Sequence, residues 1–260
     1  MEEVSYKEQL HTLFLNAYVE SNKNHDEALN VYERYCSLKK CKLPVLVNYD
    51  SHNDVYLYEK TMTPNIAQWV NYCFSKFGVR EYYWLLPNYM KSKNKKNTNL
   101  EEDYMGLNIK QLTSFSMIYD PLTKKLINQK AFNATNEKLK KYGLPEFIPE
   151  QEGIFPITIY VLPFNEFSFL KGKEIALSVD ADAFCNSGYD TNDNENNLNM
   201  TSIELKEEFK IFINELYDNG IKINVASLTR SPAYFPEKFQ KEITEFFEEI
   251  KSAAGISKAV

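Results

Sequence analysis

Val45-Leu46-Val47-Asn48-Tyr49-Asp50-Ser51-His52-Asn53-Asp54 opens as an apolar β-run and closes in a cluster of side chains able to ligate a metal. In an extended chain, residues two apart point to one face, so Asp50, His52 and Asp54 are expected to project together where the strand ends. Two carboxylates and an imidazole at that spacing suit a hard or borderline divalent cation. A solvated turn after a core strand explains the same Asp, Asn and Ser residues, but not the histidine. A second run, Glu174-Ile175-Ala176-Leu177-Ser178-Val179-Asp180-Ala181-Asp182-Ala183-Phe184, repeats the design. Both carboxylate pairs fall at the carboxyl end of an expected strand, where open α/β sheets place their sites. Together the two runs offer enough oxygen and nitrogen ligands for a two-metal centre with one aspartate bridging.

Outward from these runs, strand-like and helix-like patterns alternate. Strands are expected over Thr12–Val19, Leu43–Tyr49, Glu81–Leu86, Pro156–Leu162, Ile175–Val179 and Ile221–Leu228. Helical spacing is expected from His25 to Lys39, from Pro64 through Trp69, Cys73 and Phe74, over Asn133–Lys141, from Thr201 to Asn219, and from Glu237 to Ser252. Residues 112–127 alternate about the turn Asp120-Pro121-Leu122-Thr123 and predict a β-hairpin, the one antiparallel interruption. Strand–helix alternation of this kind gives a mostly parallel sheet covered by helices on both faces, hence a three-layer α/β/α fold. No internal repeat or linker divides residues 1–260, so one domain is expected. The charge-rich stretch 91–105 reads as a surface excursion, and the Asn- and Asp-rich loop 186–200, beside the second carboxylate pair, as a substrate lid or a low-complexity insertion.

Composition excludes several function classes. Hydrophobic residues make up 43% and charged residues 25%, which is the globular norm and argues against wholesale disorder. The net charge of −6 and a pI near 5.3 argue against nucleic acid as a partner. No apolar run is long enough to cross a bilayer, and no membrane partner is expected. The acidic N-terminus lacks a signal peptide's basic region, and Cys36, Cys41, Cys73 and Cys185 form no C-x-x-C pair or disulfide framework. They read as reduced thiols in a cytoplasmic protein. With only His11, His25 and His52 present, any role for imidazole falls to these three.

The pairing of Asp50-Ser51-His52-Asn53-Asp54 with Ser178-Val179-Asp180-Ala181-Asp182 resembles the metal-binding motifs of the arginase/deacetylase fold. The ureohydrolase branch carries an Asp-x-His-x-Asp run followed by a Ser-x-Asp-x-Asp run. The chain is more similar still to the UPF0489 family, which has a histidine in a turn before a helix, matched by His25, and an Arg-Ser-Pro strand end, matched by Arg230-Ser231-Pro232. Some relatives of that family are peptide arginases, which convert arginine side chains within a peptide to ornithine and urea.

The resemblance implies two Mn²⁺ ions. Carried over residue by residue, it gives His25 and Asp54 to one metal, His52 and Asp182 to the other, and Asp50 and Asp180 as bridging ligands that orient the nucleophile. Paired cations lower the pKa of water, and the resulting hydroxide attacks a guanidinium carbon or an amide carbonyl. The implied activity is metal-dependent hydrolysis of a C–N bond, with an arginine-containing small molecule or peptide as substrate. A non-catalytic metal-binding member and an amide hydrolase or deacetylase are the alternatives.

The chain departs from the pattern in lacking both the arginase shuttle histidine and the tandem histidines of deacetylases. Glu20, Asp190 and Glu237, at expected strand ends or adjacent loops, are candidates to grip a guanidinium. Arg230 is a candidate either for a substrate carboxylate or for a buried pair with a site aspartate.

Overall fold

In the computed structural model, the described residues are 4–52, 54, 69–88, 113–120, 125–128, 155–162, 164, 166–185 and 200–255, with the backbone alone described for 113–120, 125–128, 155–156 and 161. The expected excursion 91–105, the helix Asn133–Lys141 and nearly all of the loop 186–200 lie outside them.

Helix α1 spans Tyr6–Phe14 and corrects the expectation of a strand from Thr12. Ser5 and Glu8 form a capping box: the Glu8 N–H donates to Ser5 Oγ, and the Ser5 N–H donates to the Glu8 carboxylate. Leu10, Leu13 and Phe14 are buried at helical spacing, so the apolar run is a helix face rather than a pleat. The first strand comes later, as β1 at Tyr18–Asn22.

From there the expected order holds. A 3₁₀ turn at His25–Glu27 leads into α2 (Ala28–Lys39), then β2 (Val45–Tyr49), α3 (Trp69–Lys76) and β3 (Glu81–Leu85). Strands β4 (Thr113–Asp120) and β5 (Lys125–Asn128) pair antiparallel as the anticipated hairpin. Strands β6 (Phe155–Leu162) and β7 (Glu174–Asp180) follow, then α4 (Ser202–Asp218), β8 (Lys222–Thr229) and α5 (Gln240–Ala253). Thr201 and Glu204 cap α4 as Ser5 and Glu8 cap α1.

Among the described residues the strands form one sheet in the order β1-β8-β7-β2-β3-β6-β4-β5. Every neighbouring pair from β1 to β6 is parallel, and β4 alone runs against the rest, pairing antiparallel with β6 on one side and β5 on the other. Alternate residues face opposite sides, as the pleat requires. Val47, Tyr49, Leu85, Leu177 and Val179 pack with α1, α4 and α5, whereas Leu46, Tyr82, Trp84 and Ala176 pack with α2 and α3. Burial on both faces explains why these strands read as nearly continuous apolar runs. The expected three-layer, mostly parallel α/β fold is therefore present. Among the described residues, no helix is long and apolar enough to cross a membrane.

The sheet matters here for its carboxyl edge. Asn22 lies opposite Thr229, Thr229 opposite Asp180, Val179 opposite Tyr49, and Tyr49 opposite Leu85. Five adjacent strands thus end almost flush, and the residues that follow them share one rim.

Candidate metal centre

Four of those strand ends deliver the cluster. His25 comes three residues after β1, Asp50 directly after β2, Asp180 closes β7, and Ser231 follows β8. Asp50 and Asp180 are held alike. Asp50 Oδ1 accepts the His52 N–H at 2.8 Å, and Asp180 Oδ1 accepts the Asp182 N–H at 3.0 Å. Each is an Asx turn, in which an aspartate folds the backbone around its own carboxylate. The other oxygen of each stays free of the turn, and both face His25 Nδ1, at 3.0 Å from Asp50 Oδ2 and 3.1 Å from Asp180 Oδ2.

The cause of convergence therefore differs from the expected strand alternation. Residues 50–52 bend rather than extend, and Asp54 takes a left-handed backbone at φ 51°. That reversal brings Asp54 Oδ2 to 2.8 Å from His25 Nδ1. His52 turns the other way, its Nδ1 3.2 Å from Asp182 Oδ2 and 3.6 Å from Asp50 Oδ1. An extended strand would have kept Asp50, His52 and Asp54 on one face; the turn sends Asp54 toward His25 and His52 toward Asp182.

Among the described residues two groups could hold an ion: His25, Asp50 and Asp54, and Asp50, His52 and Asp182. In each group one ligand atom from every residue lies within 4.8 Å of the others. Asp50 belongs to both. Asp180 meets the first group through His25 and is held by Ser231, whose Oγ donates to Asp180 Oδ2 at 2.7 Å.

Several supporting contacts were not anticipated. His25 Nε2 lies 2.6 Å from Ser178 Oγ, a contact that fixes the ring with Nδ1 turned toward the carboxylates. Trp69 Nε1 donates to Asp54 Oδ2 at 2.6 Å, and its ring lies 4.9 Å from that of His25. Trp84 Nε1 donates to the Asp50 carbonyl at 2.9 Å, and Asn48 Nδ2 to Asp50 Oδ2 at 3.2 Å. Tyr234 lies against His52, with ring centroids 5.4 Å apart. Ser178 and Ser231 stand within motifs visible in the sequence, but nothing local assigns them these partners.

The electrostatics follow from crowding. Asp50, Asp54, Asp180, Asp182 and His25 are all buried, while the His52 side chain is 39% exposed and marks the open side. Burial opposes charge on His25, yet Asp54 and Asp50 outweigh it and hold the imidazole pKa well above 6.5. Burial likewise opposes charge on Asp50, but the His25 charge holds that carboxyl well below 3.8. Asp54 is pushed up to about 7 by burial and by the Asp50 charge, and Asp182 is raised well above 3.8 by burial, Asp180 and Asp50. Two imidazolium charges cannot balance four buried carboxylates, so protons make up the deficit. Divalent cations fit this donor set, because they replace those protons with charges that the oxygens and imidazoles ligate.

No protein-family model matches the chain, and neither does any curated protein. Solved structures do resemble it. They include the arginase from Medicago truncatula (12% identity, TM-score 0.41, covering 92% of this chain and 60% of that one). A putative agmatinase from Clostridium difficile is 15% identical, with TM-score 0.46 over 91% of this chain and 66% of its own. The proclavaminate amidino hydrolase from Streptomyces clavuligerus is 11% identical, with TM-score 0.43 over 96% of this chain and 68% of its own. The chain thus spans less than two thirds of the plant arginase's length.

The candidate substrate residues fare differently. Glu20 lies within β1, where its carboxylate accepts hydrogen bonds from Arg34 and Tyr18 and is not left to grip a guanidinium. Glu237 is exposed and begins the 3₁₀ turn that leads into α5. Asp190 lies outside the described residues. Arg230 is exposed, which corrects the alternative of a buried pair with a site aspartate; its N–H donates to the Asn22 carbonyl at 3.1 Å and fixes it on the rim. His11 is exposed on α1.

Proposed function

We propose that the chain is a dinuclear metal-dependent hydrolase of a C–N bond, acting on a guanidino group and releasing urea. The observation that carries this reading is the sharing of Asp50 between two ligand groups, each completed by one histidine and one further aspartate. His25, Asp50 and Asp54 would hold one ion and Asp50, His52 and Asp182 the other, with Asp180 beside His25. Manganese is the metal implied by the motif resemblance. Cations held there supply Lewis acidity and lower the pKa of water at the site.

The chain's own residues do the rest. Ser178 fixes the His25 ring, Trp69 and Ser231 orient Asp54 and Asp180, and Asn48 orients Asp50. Such contacts pre-set ligand direction, so little reorganises during reaction. Trp69, fully buried against His25, closes that side to water. The acidic rim favours a cationic substrate such as a guanidinium, and Arg230 stands on the same rim for a substrate carboxylate. His25 and His52 are both engaged by carboxylates, so neither is left to act as a proton shuttle.

The test is a urea-release assay on manganese-loaded protein, with free arginine, agmatine and an arginine-bearing peptide, run beside Asp180→Ala. Urea from at least one substrate, abolished in the variant, is expected. Release of acetate from an acetylated amine in place of urea would move the reading to amide hydrolysis, and bound metal without turnover would make the site non-catalytic.

A further inference from the structure

We propose that Cys36 and Cys41 form a reversible disulfide, a modification site at the carboxyl end of α2 that is independent of the function proposed above. Helix α2 ends at Lys39, and Lys40 follows in the left-handed conformation, φ 51° and ψ 43°. The Cys41 N–H then donates to the Cys36 carbonyl at 3.3 Å. The Lys40 N–H donates to the same carbonyl, an αL cap whose six-residue loop begins and ends on the Cys36 and Cys41 side chains. Here both of those side chains are thiols. The closure draws the two α-carbons toward the span of roughly 4.4–6.8 Å that a disulfide bridges. Because the native backbone already forms the loop, the bond needs little rearrangement.

The two thiols are unequal in a useful way. Cys41 is exposed and Cys36 half-buried, whereas Cys73 and Cys185 are buried. Burial and the neighbouring Cys41 thiol push the Cys36 pKa up to about 11. Lys39, Lys40 and Lys42 flank Cys41 and are all exposed. That basic surround favours an anionic, low-molecular-weight disulfide as oxidant, of which glutathione disulfide is the convenient probe. The Cys41 thiolate attacks one sulfur of the oxidant and expels a thiolate, leaving a mixed disulfide. Cys36, losing its proton to solvent, attacks the Cys41 sulfur and expels the second thiolate. Two S–H bonds are lost, one S–S bond forms, and the two electrons reduce the oxidant to two thiols.

The experiment incubates the full chain with excess glutathione disulfide, quenches in acid, and counts thiols and adducts by alkylation and peptide mass mapping. Expected is a fall from four free thiols to two, with Cys36 joined to Cys41 and no retained glutathione. Cys36→Ser should retain one glutathione on Cys41, because the resolving thiol is gone. Cys41→Ser should keep its three remaining thiols free. Stable glutathione on Cys41 of the parent chain, or two thiols still lost from Cys41→Ser, would overturn the assignment, as would a parent that loses none.

Discussion

Trp69→Phe removes one N–H donor from the centre while keeping an aromatic ring against His25. Its partner, Asp54 Oδ2, is the oxygen that also lies 2.8 Å from His25 Nδ1, so the lost bond acts directly on a ligand atom. A hydrogen bond to a charged acceptor contributes about 1.5–3 kcal/mol. At about 1.4 kcal/mol per decade, manganese affinity should fall roughly 10- to 100-fold, the range seen when ligand-orienting partners are removed. Trp69 is fully buried, so the smaller ring volume also costs some stability. Trp84→Phe separates the two effects. Trp84 is equally buried, but its N–H goes to the Asp50 backbone carbonyl, not to a ligand oxygen. Competition against a chromophoric chelator would measure both affinities, with far-UV circular dichroism to confirm folding. A folded Trp69→Phe that binds as tightly as the parent would refute the reasoning, as would an equal loss in Trp84→Phe.

Other expectations follow from the same contacts. Asp54 has its pKa raised from 3.8 to about 7, so the native metal-free state keeps a proton that the unfolded chain releases; stability should fall as pH rises across that window. His25, raised above 6.5, contributes stability that is complete below 6.5 and lost as pH climbs through its folded value, so the decline continues. Cations compete with those protons, and the thermal shift on adding manganese should therefore grow from about pH 5 to about pH 8, as scanning calorimetry can show. Ser231→Ala leaves buried Asp180 without its hydroxyl donor and should cost about 1–3 kcal/mol in urea unfolding. Thr201→Ala, at the cap of α4, should cost about 1 kcal/mol in the same assay and leave metal content unchanged.

The parallel sheet was legible because strands buried on both faces carry long apolar runs, and the runs at Val45–Tyr49 and Glu174–Asp180 stand out. The Thr12–Val19 run misled because Leu13 and Phe14 are adjacent apolar residues that suit either period. Ser5 and Glu8, spaced as a capping box, were the local signal that decides for a helix. The candidate ligand residues were legible from residue type and strand-end position, but their geometry was not. A two-residue spacing fits a pleat as well as an Asx turn, and only hydrogen bonds from His52 N and Asp182 N distinguish them. Trp69, Ser178 and Ser231 acquire their roles through tertiary contacts 15, 153 and 51 residues away in sequence, beyond the reach of any local pattern. The same holds for Glu20, which suits a guanidinium until Arg34 is seen to occupy it.

Metal stoichiometry tests the centre most directly, by elemental analysis after manganese loading and desalting of the parent, Asp182→Asn and Asp50→Asn. Close to two ions per chain are expected in the parent, one for each ligand group, about one in Asp182→Asn, and almost none in Asp50→Asn, whose side chain serves both groups. A parent that retains no metal, or an Asp50→Asn protein that keeps its full complement, would contradict a shared dinuclear site.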